Sequence, residues 1–209
     1  MSDIFEQRDD AATPLTDNEK RDLIPAHIAY RRELNAAEQE NIIRGQEWAL
    51  RRRRRDLLSE KLIKDLHRHM LGDVWRWAGE YRTSERNIGI NHWEIPMALR
   101  VLLDDVKLWI EKNVYPVDEI AVRFHHRLVA IHAFPNGHGR HARLMANLLV
   151  TELGGTRFSS GSGSLAATGD LRRRYIAALH AADGHDIESL LVFARRGHSP
   201  HSSCRQNPA

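Results

Sequence analysis

At 209 residues, with 42% hydrophobic and 28% charged, the chain is long enough for one domain with a buried core and too apolar for disorder over most of its length. Its 31 Lys/Arg against 28 Asp/Glu leave a net charge of +3, which gives no argument for nucleic acid as a partner. One cysteine, Cys204, excludes an internal disulfide framework, and neither a leader pattern nor an apolar run of about 18 residues is visible, so a cytoplasmic location without membrane insertion is expected.

The first forty residues are acidic, and Arg51 to Arg55 form an unbroken run of arginines. Thr16-Asp17-Asn18-Glu19 has the form of a capping box and predicts a short helix over about 17–23, before Pro25. Asn35, with Glu38 three residues on, is a candidate N-cap for a longer helix. Ile42, Ile43, Gln46, Ala49 and Leu50 carry it to about Ser59, with the arginines as a solvated stretch inside it. Leu62, Ile63, Leu66, Met70 and Leu71 predict a further amphipathic helix, stopped by Gly72. Breakers then cluster, and Asn87-Ile88-Gly89-Ile90-Asn91-His92-Trp93 is a candidate short β-hairpin. Helical periodicity returns from Met97 to about Asn113 and from Pro116 to Ala133. It resumes through Leu144–Leu153, ended by Gly154-Gly155, and after a Gly/Ser-rich loop over 158–164 it covers about 170–182 and 186–196. A disordered tail is expected from His198. The sum is a mainly α bundle with one hairpin.

Between the two most apolar helices lies His132-Ala133-Phe134-Pro135-Asn136-Gly137-His138-Gly139-Arg140-His141-Ala142-Arg143. A helix ends in a histidine, two glycines bracket a loop residue, and the next helix opens with arginines three apart. Glycines there permit positive φ and let successive N–H groups turn inward as an anion nest. The helix N-terminus adds its dipole, and the two guanidinium forks suit phosphate oxygens. Each feature alone is commonly structural, but helix packing gives no reason to collect them in twelve residues. They describe a polyphosphate cradle with a base, His132, at its edge.

This segment resembles the Fic-domain signature His-Pro-Phe-x-(Asp/Glu)-Gly-Asn-Gly-Arg-x-x-Arg, matching at His132, Phe134, Gly137, Gly139, Arg140 and Arg143. The likeness extends to Trp77-Ala78-Gly79-Glu80-Tyr81-Arg82 and to the hairpin around Ile88–Ile90, and covers roughly residues 60–195. Within the Fic/Doc family the chain most resembles the group labelled mobile mystery protein B. The residues that carry this are Leu34-Asn35 with Glu38-Gln39, Val74-Trp75-Arg76-Trp77-Ala78-Gly79, and Ile131-His132-x-Phe-Pro-Asn. The resemblance implies a Fic-type helical bundle with a β-hairpin flap over 60–196, preceded by an N-terminal helical extension over 1–59 with a regulatory role and followed by a tail over 197–209.

It further implies a protein adenylyltransferase, toxin-like in kind, that transfers AMP from ATP to a Ser, Thr or Tyr hydroxyl of a target protein. His132 is then the general base, a role that imidazole suits near neutral pH. Phe134 anchors the loop, and Gly137, His138, Gly139, Arg140 and Arg143 bind the phosphates. Ile88, Gly89 and Ile90 form the flap that docks the target by strand addition. An antitoxin-like protein or a second copy is the other partner class.

Three departures bear on activity. Ala133 stands for the motif's proline. Asn136 stands for the metal-binding carboxylate and weakens any hold on Mg²⁺, which prefers carboxylate and phosphate oxygens. His138 stands for an asparagine and brings a protonatable ring into the nest. The alternatives are a non-catalytic or altered-donor nucleotide-binding module, and a metal-dependent hydrolase using His125, His126, His132, His138 and His141. Many Fic proteins carry an inhibitory glutamate. Ala36-Ala37-Glu38-Gln39-Glu40-Asn41 matches the end of that pattern, giving Glu40, or a neighbour such as Glu33, as the residue restraining Arg143.

Overall fold

The computed structural model describes residues 21–51, 56–85, 88–159 and 169–195. Seven helices account for most of these: α1 (Arg31–Arg51), α2 (Glu60–Leu71), α3 (Ile95–Glu111), α4 (Val117–Ile131), α5 (His138–Glu152), α6 (Gly169–Asp183) and α7 (Ile187–Arg195). The 17–23 helix falls almost wholly outside the described residues, as do Arg52–Arg55, Asn87, the 160–168 part of the Gly/Ser loop and the tail. Among the described residues no helix is long and apolar enough to cross a membrane.

Helix α4 is the hub, packed against α3, α5 and α7, while α1 pairs with α2 and α2 touches α5. Its apolar face, Ile120, Ala121, Phe124 and Leu128, joins Leu99 and Leu102 of α3 and Met145 and Leu148 of α5 in one buried cluster. Leu34, Ile42 and Ala49 of α1 enter the same cluster. Removing this apolar surface from water is the main force holding the helices together. Helix α2 begins where the Ser59 hydroxyl accepts from Leu62 N–H and ends at Gly72 as expected.

Helix α1 starts earlier than the asparagine signal suggests. Glu33 Oε2 accepts from the N–H groups of Ala29 and Tyr30, 3.0 and 3.3 Å away, so the chain is already turned before Asn35, which lies exposed inside the helix. The inward stripe of α1 includes two polar residues, Glu38 and Asn41. Asn41 bonds the His69 carbonyl and the Asp73 backbone N–H, tying α1 to the end of α2.

The expected hairpin is absent among the described residues, where Leu23 and Trp75 form an isolated antiparallel bridge and no strand is present. Residues 88–90 form bends, and His92–Glu94 wind into a 3₁₀ turn closed by a capping box between Asn91 and Glu94. Arg82 holds the segment instead, its buried guanidinium donating to the carbonyls of Ile90 and Ser84.

Candidate functional site

Helix α4 stops at His132, whose φ of 55° puts it in the left-handed region that histidine, unlike β-branched residues, tolerates. The following loop is pinned from below. Phe134 is buried and stacks on the His67 ring with centroids 3.8 Å apart. His67 Nε2 lies 3.0 Å from the Asn136 carbonyl oxygen, and its Nδ1 accepts from Gly79 N–H at 2.9 Å. The ring is therefore neutral with its proton on Nε2, and burial pushes its pKa down to about 4. One side chain of α2 thus fastens both the Trp77-Ala78-Gly79 segment and the motif loop.

Gly137, at φ 82°, caps α5. The positive φ there favours glycine, and a Cβ would also sit 2.7 Å from Leu71 Cδ1 of α2, which would have to shift. Helix α5 then opens at His138, presenting its first-turn N–H groups to a cleft of about 1060 Å³. His132, Asn136 through Arg140, and Arg143 all line this cleft, together with Ile88, Gly89 and Ile90. The residues proposed from the sequence for base, phosphate cradle and flap thus share one cavity.

The flap segment meets the histidine directly. A Cβ on Gly89 would fall 2.5 Å from His132 Cβ, and Gly89 has φ 91°. Arg82 secures the arrangement, since its Nε donates to the His132 carbonyl at 2.7 Å while its backbone N–H bonds the Ala133 carbonyl.

The departed positions behave as follows. His138 stacks on His132 with centroids 3.3 Å apart, and its Nε2 is buried without a hydrogen-bond partner. Burial, with the neighbouring His132 and His67, holds its pKa well below the ordinary imidazole range, so the ring is neutral at pH 7. Asn136 Oδ1 accepts from Gly137 N–H at 2.7 Å and is turned onto its own loop. Asn136, at the position of the motif's carboxylate, thus offers Mg²⁺ no charged donor. The hydrolase alternative finds no group of three His, Cys, Asp or Glu among the described residues. Three of the five histidines it invoked are engaged elsewhere: His125 bonds the Tyr175 hydroxyl, His126 bonds Asp183, and His141 bonds the Ile63 carbonyl. Burial pushes the pKa of His125 and His141 down to about 3.

The two arginines differ. Arg140 Nη2 lies 2.9 Å from Glu38 Oε2, and the other Glu38 oxygen accepts from Trp75 Nε1 at 2.7 Å. Glu38 is buried, whereas Glu40 is exposed. Arg143 instead stands over the Tyr175 ring, its guanidinium carbon 5.2 Å from the centroid. Sequence reasoning missed Glu38, His67, Arg82 and Tyr175 as parts of the site. Only Glu38 carried a signal, as a charged residue on the apolar stripe of α1.

Residues 57–150 match the model described as Fic/DOC family. Protein adenylyltransferase fic-1 of Caenorhabditis elegans is 28% identical over 146 residues, 68% of this chain and 27% of that protein. Protein adenylyltransferase Fic of Aedes aegypti is 30% identical over 143 residues, 66% of this chain and 27% of that protein. The chain thus spans about a quarter of the length of these relatives. Among solved structures, C. elegans Fic-1 superposes with a TM-score of 0.60 at 25% identity, covering 85% of this chain and 52% of that one. BepC of Bartonella tribocorum, solved with bound AMPPNP, has the same fold, with a TM-score of 0.64 at 13% identity over 86% of this chain and 97% of that one.

Proposed function

We propose, on the match of residues 57–150 to the Fic/DOC family model, that the chain is a protein adenylyltransferase that moves AMP from ATP to a hydroxyl side chain of a target protein. The observation that carries this reading is the gathering of His132, the α5 N-terminus, Arg140 and Arg143 in one cleft beneath Ile88–Ile90. In the reaction, the target oxygen forms a bond to the α-phosphorus while the bond from that phosphorus to the α,β-bridging oxygen breaks. His132 takes the hydroxyl proton, and pyrophosphate leaves with the electron pair. The first-turn N–H groups of α5 hold the phosphates, and the two arginines meet the developing charge on the leaving group. Glycine at 89 allows the flap to lie close over the base, so a target segment seated there presents its hydroxyl to His132. Asn136, neutral and bonded to Gly137 N–H, supplies no carboxylate to a metal on the phosphates.

A second reading, an altered-donor or non-catalytic nucleotide-binding module, is favoured by one observation: the His138 ring covers a face of His132. Mass spectrometry of lysate proteins incubated with the purified chain and ATP separates the two. An AMP adduct that disappears with His132→Ala supports the transferase. Nucleotide binding in calorimetry without any adduct, also for Asn136→Asp, supports the module.

A further inference from the structure

We infer that Tyr175, backed by His125, is the positioning residue for Arg143, an assignment whose relevance to phosphate binding rests on the reading above. Tyr175 comes from α6, outside the 57–150 stretch that matches the family. Its ring is buried against Phe193 of α7, centroids 5.5 Å apart, and its hydroxyl lies 3.0 Å from His125 Nε2 on α4. Three helices therefore fix one phenol.

Arg143 depends on that phenol because it lacks the support Arg140 has. Glu38 pairs with Arg140, whereas Arg143 Nε is buried without a hydrogen-bond partner. Its guanidinium is spread over the Tyr175 ring and lies beside the hydroxyl. A cation over an aromatic face is held by the ring quadrupole at little directional cost, and a buried cation with no anion beside it is a receptor for one. A Cβ placed on Gly139 would come within 3.4 Å of the Tyr175 oxygen and 3.5 Å of Arg143 Nη1, so phenol, guanidinium and the α5 N-terminus meet at one point of the cleft.

The direction of the contacts follows from charge. Burial keeps His125 neutral at pH 7, with its pKa at about 3, and raises that of Tyr175, so the phenol carries its proton. Next to a guanidinium, the favourable arrangement turns the phenol lone pairs toward Arg143 and the O–H toward His125 Nε2. His125 thereby sets the phenol, and the phenol sets the arginine. Neutral support of this kind leaves the whole charge of Arg143 for a ligand, where a carboxylate partner would compete with it.

The test uses the full chain, with inorganic tripolyphosphate as the calorimetric probe and the Arg143 side-chain Nε–H signal as the NMR probe. Tyr175→Phe keeps the ring and deletes the hydroxyl. It is expected to weaken tripolyphosphate binding about fivefold, and to have no further effect in an Arg143→Ala background. The Arg143 signal should broaden in Tyr175→Phe and in His125→Leu alike. Equal weakening in both backgrounds, or an Arg143 signal unchanged by Tyr175→Phe, overturns the assignment. If the wild-type chain binds no tripolyphosphate, the phosphate-cradle reading fails, and the NMR signal alone decides the positioning role.

Discussion

Glu38 reaches from α1 across the cleft to Arg140, its Oε2 2.9 Å from Nη2, and is steadied there by the indole N–H of Trp75. If Arg140 binds phosphate as proposed, this carboxylate competes for the same guanidinium. Glu38→Gln keeps a partner for Trp75 and removes the competing charge. We expect nucleotide affinity, measured by calorimetry, to rise about tenfold in this variant, while exposed Glu40→Gln leaves it unchanged. A rise with Glu40→Gln and none with Glu38→Gln would return the regulatory role to Glu40.

Buried neutral histidines make the fold acid-sensitive. An imidazole whose folded pKa is depressed binds its proton in the unfolded chain first, so its contribution to stability is complete above about pH 6.5. That contribution is lost progressively as pH falls toward the folded value, about 4 for His67 and about 3 for His125 and His141. Denaturant unfolding followed from pH 7.5 to 5 should show stability falling. His67→Gln should flatten the slope by about one proton.

His67→Ala removes two hydrogen bonds and the stack on Phe134. A loss of about 2–4 kcal/mol in unfolding free energy is expected. Proteolysis should then cut first in the 133–137 loop, because its tie to α2 is gone; cutting elsewhere first would count against His67 as the fastening point.

Gly89→Ala would place a methyl group 2.5 Å from His132 Cβ at a backbone angle that alanine resists. The segment must move, so transfer to any target should drop about tenfold or more through misplacement of the reacting groups. The melting temperature should shift little, because Ile88 and Ile90 contribute no fully buried surface.

Asn136→Asp keeps an acceptor for Gly137 N–H and adds a charge beside the phosphates. Nucleotide affinity is expected to depend little on Mg²⁺ in the native chain and to become Mg²⁺-dependent in this variant. Calorimetry with and without the ion reads the difference.

The helices were legible where apolar spacing alone decides them, as in Leu62 to Leu71 or Ile120 to Ile131. The motif loop was legible because His132, the glycines and the arginines lie close together in sequence. What stayed hidden depends on contacts across the chain. The Ile88–Ile90 segment has strand-like composition, but it lies in bends with its Ile90 carbonyl bonded by Arg82. Glu38 meets Arg140, 102 residues away, and Tyr175 meets His125, 50 residues away. A lone histidine such as His67 on an apolar helix face gives no sign of which two segments it will join.

The left-handed backbone at His132 has its own consequence. In a saturation library scored for folding alone, position 132 would already discriminate, tolerating glycine and asparagine and rejecting valine, isoleucine and threonine. Depletion of variants there is thus no measure of chemistry. Asparagine, which adopts this geometry and has no imidazole, is the substitution that separates the two demands.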